Sequence, residues 1–108
     1  MAYELRFRPE ALADLEDIAR AIRRASGSQE VARRYLARIR ERCRHIATLP
    51  LAGRPRDDLA TGLRTVPFER RLVIVYRVTN PTGVEITNVF HGTRDYAALC
   101  RGQDDDHA

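Results

Sequence analysis

Leu72-Val73-Ile74-Val75-Tyr76-Arg77-Val78 decides how this chain folds. The run is apolar at every position except Arg77, is rich in β-branched residues and is too short for a buried helix, which makes it a central strand. Two further strand-like pieces flank it, Gly62-Leu63-Arg64 before and Val89-Phe90-His91-Gly92-Thr93-Arg94-Asp95 after. Strands are predicted at 62–67, 71–79 and 84–91. Asn80-Pro81-Thr82-Gly83 supplies a strong turn between the last two. Three strands with short links form an antiparallel meander. Pro67 cannot donate to a ladder, so its strand ends or lies at an edge there.

Upstream, Tyr3-Glu4-Leu5-Arg6-Phe7 alternates with period two and reads as a first strand. Pro9 suits the first turn of a helix, and Leu12, Leu15, Ile18, Ala19 and Ile22 follow at spacings of three and four, forming one apolar stripe. Acids at the front of this segment and arginines at the back match the helix dipole. Gly27 is placed to end the helix, and Ser28 to cap a second one running to about Leu49, before Pro50. So short a link forces an antiparallel helix hairpin. Residues 50–61 lack periodicity and read as a loop. The predicted architecture is α+β, in the order β-α-α-β-β-β, with the helix hairpin packed on one face of a small antiparallel sheet. The other face of that sheet is expected to be uncovered.

With 108 residues, 44% hydrophobic and 31% charged, the chain fits one domain over 1–100, followed by a disordered acidic tail over 101–108 that carries Asp104, Asp105 and Asp106. No run approaches the roughly 20 apolar residues that span a bilayer, and the N-terminus does not resemble a secretory signal; the expected location is the cytoplasm, away from membranes. Cys43 and Cys100 stand in unrelated contexts and are expected as reduced thiols, while His45, His91 and His107 are far apart. No metal and no cofactor are expected. The formal net charge is +4, yet residues 33–77 hold twelve arginines against Glu41, Asp57, Asp58 and Glu69, a local balance of 12 − 4 = +8. The whole chain contains no lysine. Such asymmetry points to an acidic partner, although the helical arginines alone also fit a solvated face.

Basic groups recurring at strand ends are surface residues available to an anion. With Leu63 facing inward, Arg64 projects to the opposite face; Val75 and Arg77 share that face, and on the last strand Glu85, Thr87 and His91 alternate with Val84, Ile86 and Phe90. Arg64, Arg71, Arg77, His91 and Arg94 are therefore the candidate partner-binding residues. Arg64, Arg77, His91 and Arg94 would also be the catalytic set if the chain cleaves a phosphodiester, since guanidinium forks grip phosphate and a histidine moves protons near neutral pH. The same pattern lets Arg77 pair with Glu85 and His91 cap a strand end. Asp95 is read as holding the turn after Gly92. Replacing Arg64 and Arg77 together with alanine is expected to reduce function without unfolding the chain. The sequence has no nucleophile elbow, no phosphate-binding glycine loop and no His-Glu-x-x-His, and its carboxylates are not paired in a credible cleft.

Gly53-Arg54, Gly62-Leu63-Arg64, Val75-Tyr76-Arg77 and His91-Gly92-Thr93-Arg94-Asp95, in this order after a helix hairpin, resemble the RelE/ParE family of bacterial toxins over nearly all of residues 3–100. The resemblance implies the β-α-α-β-β-β fold and a type II toxin neutralised by a cognate antitoxin. RelE-like members are ribosome-dependent mRNA endoribonucleases that use basic residues with a Tyr or His; ParE-like members poison DNA gyrase without established catalytic residues. This chain has no lysine and offers Ala97, Ala98, Leu99 and Cys100 where RNA-cleaving members often place a tyrosine, with Tyr96 a poor substitute. The resemblance therefore leans to the ParE-like branch, a gyrase inhibitor rather than an enzyme, with the ribosome and its mRNA as the alternative target.

Overall fold

A computed structural model describes residues 3–79 and 81–91. Strand β1 (Glu4–Phe7) leads into helix α1 (Pro9–Ser26) and helix α2 (Gln29–Thr48); β2 (Arg54–Pro55), β3 (Leu63–Phe68), β4 (Leu72–Thr79) and β5 (Gly83–His91) follow. The sheet order is β1-β5-β4-β3-β2. The helix ends form where the residue chemistry places them. Pro9 occupies the first turn of α1, Gly27 takes the left-handed conformation at φ 70° and donates its N–H to Arg23 O at 2.7 Å, and the Ser28 hydroxyl accepts from Val31 N at 3.2 Å.

Two details differ from an all-antiparallel sheet. β1 pairs parallel with β5, in register Glu4 with Gly83 through Phe7 with Ile86, because the helix hairpin carries the chain away and the meander returns to it with β5 outermost. The loop after α2 also contributes the two-residue strand β2, which pairs Arg54 with Thr65 and Pro55 with Arg64. It ends there, so β3 is an open edge at Pro67, where the missing N–H does no harm.

The helix hairpin packs on one sheet face through a core that includes Ala11, Leu15, Ile18, Ile39, Cys43, Ile46, Ile74, Tyr76, Val84 and Ile86. Each large side chain of this set stabilises the fold by about 1.5–3 kcal/mol on leaving water. Burial pushes the Cys43 thiol up to about 12, leaving it inert.

The opposite sheet face is not bare. Residues 56–62 fold back over it, and Leu59 and Ala60 bury against Leu63, Val75 and Phe90 in a second, smaller cluster. Asp57 Oδ1 accepts from Gly62 N at 2.9 Å, and Arg56 N donates to Leu63 O at 2.8 Å, closing this flap. A β-bulge between β4 and β5 offsets the register at Val75/Tyr76, so Val75 faces Asn88 while Tyr76 faces Ile86. The extra residue, Thr87, reverses the alternation of everything after it. Phe90 consequently joins the outer cluster rather than the face of Ile86, and His91 points to the helix side with its partner Leu72. Asp14 of α1 fastens the bulge, accepting from Val89 N at 2.9 Å and from Asn88 Nδ2 at 3.3 Å.

Candidate functional site

Arg64 lies opposite Tyr76 in the β3–β4 register and so shares the helix-side face with it, the reverse of the orientation expected with Leu63 inward. The pair forms a latch. The Tyr76 hydroxyl donates to Pro50 O at 2.7 Å and accepts from Gly53 N at 3.0 Å, while Arg64 NH1 donates to Leu51 O at 3.0 Å and Gly53 O at 2.9 Å. Together they pin the loop between α2 and β2. Gly53 is required here by close approach: a Cβ would lie 2.8 Å from Tyr76 Cε1 and Cζ. Arg64 thus has a structural role, with NH1 of its guanidinium engaged by two loop carbonyls.

Arg77 sits on the other face, aligned with Leu63 and Glu85. Among the described residues no ion pair joins Arg77 to Glu85 and the buried Arg77 Nε has no acceptor; Glu85 instead approaches Arg8 at 3.7 Å. His91 is five positions from Arg77 along the β4 ladder, about 17 Å at 3.4 Å per residue. Arg94 and Asp95 lie outside the described residues, as do Tyr96, Cys100 and the acidic tail. Arg64, Arg77 and His91 therefore do not converge on one phosphodiester.

What the structure does bring together is Arg71 with His91, at a groove of ≈ 600 Å³ between the helix hairpin and the β3–β4 turn. Its floor is apolar, from Ile18, Ile22, Val31 and Tyr35, and Arg38, Glu69, Arg71 and His91 form the rim. The Tyr35 ring meets Phe68 edge-on at 5.7 Å, and Arg38 lies 5.0 Å over the Tyr35 ring. Arg38 also grips Glu69 through both carboxylate oxygens, at 3.0 and 3.2 Å. That grip, together with the nearby Arg71, holds the Glu69 carboxyl below its ordinary range. Partial burial, with Glu69 alongside, pushes the Tyr35 phenol up.

The bridge spans a strained turn, since Glu69 and Arg70 both have positive φ, 49° and 61°, without being glycine. Val31, Tyr35 and Arg38, spaced four and three apart on α2, were readable as one helix face. Nothing in the sequence tied that face to His91, because the bulge that turns His91 toward it carries no pattern of its own.

Across the basic segment, Arg33 and Arg34 pair with Glu30, Arg38 with Glu69, Arg44 with Glu41 and Arg56 with Asp58. Arg42, Arg54, Arg70 and Arg71 are exposed and make no ion pair among the described residues. An apolar floor with a largely cationic rim can hold an apolar side chain from an acidic segment.

The fold is shared with chains of solved toxin–antitoxin systems. The fold superposes on a chain of the chromosomal ParDE toxin–antitoxin system from P. aeruginosa with a TM-score of 0.72, at 23% identity over 83% of this chain and 96% of that one. A chain of the RelBE2 toxin–antitoxin complex from Mycobacterium tuberculosis gives 0.63, at 23% identity over 87% and 95%. No curated protein matches. The family model describing the ParE toxin of the type II toxin–antitoxin system parDE matches residues 5–96. The chain, a two-helix hairpin on a five-stranded mixed sheet, belongs to that ParE toxin family.

Proposed function

We propose that this toxin acts by binding rather than by cleavage, arresting DNA gyrase with its DNA cut, and that a cognate antitoxin neutralises it. The observation carrying this reading is the dispersal of the basic residues: Arg64 is latched beneath its own loop, Arg77 lies on the far sheet face, and His91 is at the other end of the β4 ladder. A ribonuclease would need them around one phosphate. Arg71, Arg77 and His91 are left as partner-binding groups. The hairpin groove, apolar below and cationic at its rim, suits an acidic antitoxin segment that folds as it binds, with affinity falling as salt is added.

Expression in cells tests the reading. Induction of the DNA-damage response with intact messages is expected. Fragmented messages and translation arrest without DNA damage would replace gyrase with the ribosome.

A further inference from the structure

Two of the exposed large apolar side chains of the described residues stand almost side by side, Leu49 at 69% exposure and Leu51 at 67%, on either side of buried Pro50. Single exposed leucines are ordinary. These two differ because the loop that carries them is held from behind by four hydrogen bonds to sheet side chains, two made by the buried Tyr76 and two by the half-buried Arg64. Folding thus commits an arginine and a buried tyrosine to keeping two leucines in water. A surface fixed in this way gives up little conformational entropy when a partner covers it, as binding hot spots do. The segment is net basic: residues 42–56 contain Arg42, Arg44, Arg54 and Arg56 and no acid, and while Arg44 pairs with Glu41 and Arg56 with Asp58, Arg42 and Arg54 make no ion pair among the described residues. Leu49 closes α2, so His45 lies one turn behind it and Arg42 two turns behind it on the same helix face.

We infer that the Leu49–Pro50–Leu51 loop is the surface through which the toxin engages its target protein, at an apolar pocket ringed by carboxylates. The inference rests on the reading above that the chain acts by binding. It also gives the Tyr76–Arg64 latch a purpose, because the latch positions the loop and touches no partner. The loop and the hairpin groove share no residue, so target and antitoxin would be addressed by separate surfaces.

The test uses the full chain and a Leu49→Ser/Leu51→Ser variant. Because both side chains are mostly exposed, the variant should keep the wild-type urea midpoint. It should lose growth arrest on induction and require about tenfold more protein to linearise plasmid with DNA gyrase holoenzyme, the loss of one hot spot. Ala52→Glu, which sets a carboxylate on the exposed loop facing the proposed ring of carboxylates, should have the same effect, and covers the case in which the double variant fails to fold. Undiminished growth arrest by either folded variant would overturn the inference, as would a wild-type dimer that the double variant disperses, since the loop's occupant would then be a second copy. If the wild type arrests growth yet leaves gyrase untouched, the gyrase reading falls alone, and loss or retention of arrest in the variants still decides the role of the loop.

Discussion

Replacing Tyr76 with phenylalanine removes one oxygen atom and two hydrogen bonds, those to Pro50 O and Gly53 N, at a ring that is fully buried. A typical intramolecular hydrogen bond contributes about 0.5–1.5 kcal/mol net, and a buried group left without its partner costs about 1–3 kcal/mol. Pro50 and Gly53 are both buried, so the cost should lie near the top of the two-bond sum, about 2–3 kcal/mol. At about 4–8 °C per kcal/mol for a domain of this size, Tm should fall by about 8–24 °C. Urea unfolding followed by circular dichroism measures the free energy, and amide exchange at Gly53 reports the latch locally, since its N–H has the phenolic oxygen as acceptor. Tyr35→Phe is the control, as the Tyr35 hydroxyl makes no hydrogen bond among the described residues, and it should change stability by less than about 0.5 kcal/mol. If Tyr76→Phe matched this control and Gly53 exchange were unchanged, the loop would not be held by the tyrosine.

Arg64→Ala should also destabilise, by about 1–3 kcal/mol, because two loop carbonyls lose their donor; loss of toxicity in that variant would report folding rather than a surface contact, contrary to what the sequence implied for the Arg64 and Arg77 pair. Arg70→Gly should be neutral or stabilising by up to about 1 kcal/mol, whereas Arg70→Val should cost about 1–2 kcal/mol, since only glycine accepts φ 61° without penalty; urea midpoints of the two variants check the sign. The Glu69 carboxyl is held low by Arg38, so the folded state binds that proton more weakly than the unfolded chain; its stabilisation is complete above the unfolded value of about 4.3 and is lost as pH falls through the lower folded one. Acid unfolding of Glu69→Gln should accordingly lack that portion of the pH dependence. With its thiol pushed up to about 12, Cys43 should resist alkylation at pH 8 until urea unfolds the chain, as site-resolved mass spectrometry would show.

Much of the fold was legible because local chemistry and tertiary need agree. Pro9, Gly27 and Ser28 mark helix ends by requirements of φ and hydrogen bonding that do not depend on the rest of the chain. The β1–β5 pairing was harder to read, since an alternating strand shows its buried face but not its neighbour or direction. The orientation of β3 was misread on the strength of Leu63. Val66 and Phe68 on the other parity form the larger apolar set, and they turn that face, Arg64 included, toward the helices. The candidate site suffered most from the bulge at Thr87, which exchanges the faces of Phe90 and His91, and from residues 56–62, whose Leu59 and Ala60 cover the face expected to be bare. Neither feature has a period for sequence patterning to detect.

The most direct measurement is a supercoiling reaction with purified gyrase, relaxed plasmid and increasing amounts of the toxin. Action by binding predicts that cleaved DNA accumulates in proportion to toxin, saturates near gyrase equivalence and is suppressed by added salt. Normal supercoiling at excess toxin, together with cleavage of ribosome-bound RNA at substoichiometric amounts, would contradict it.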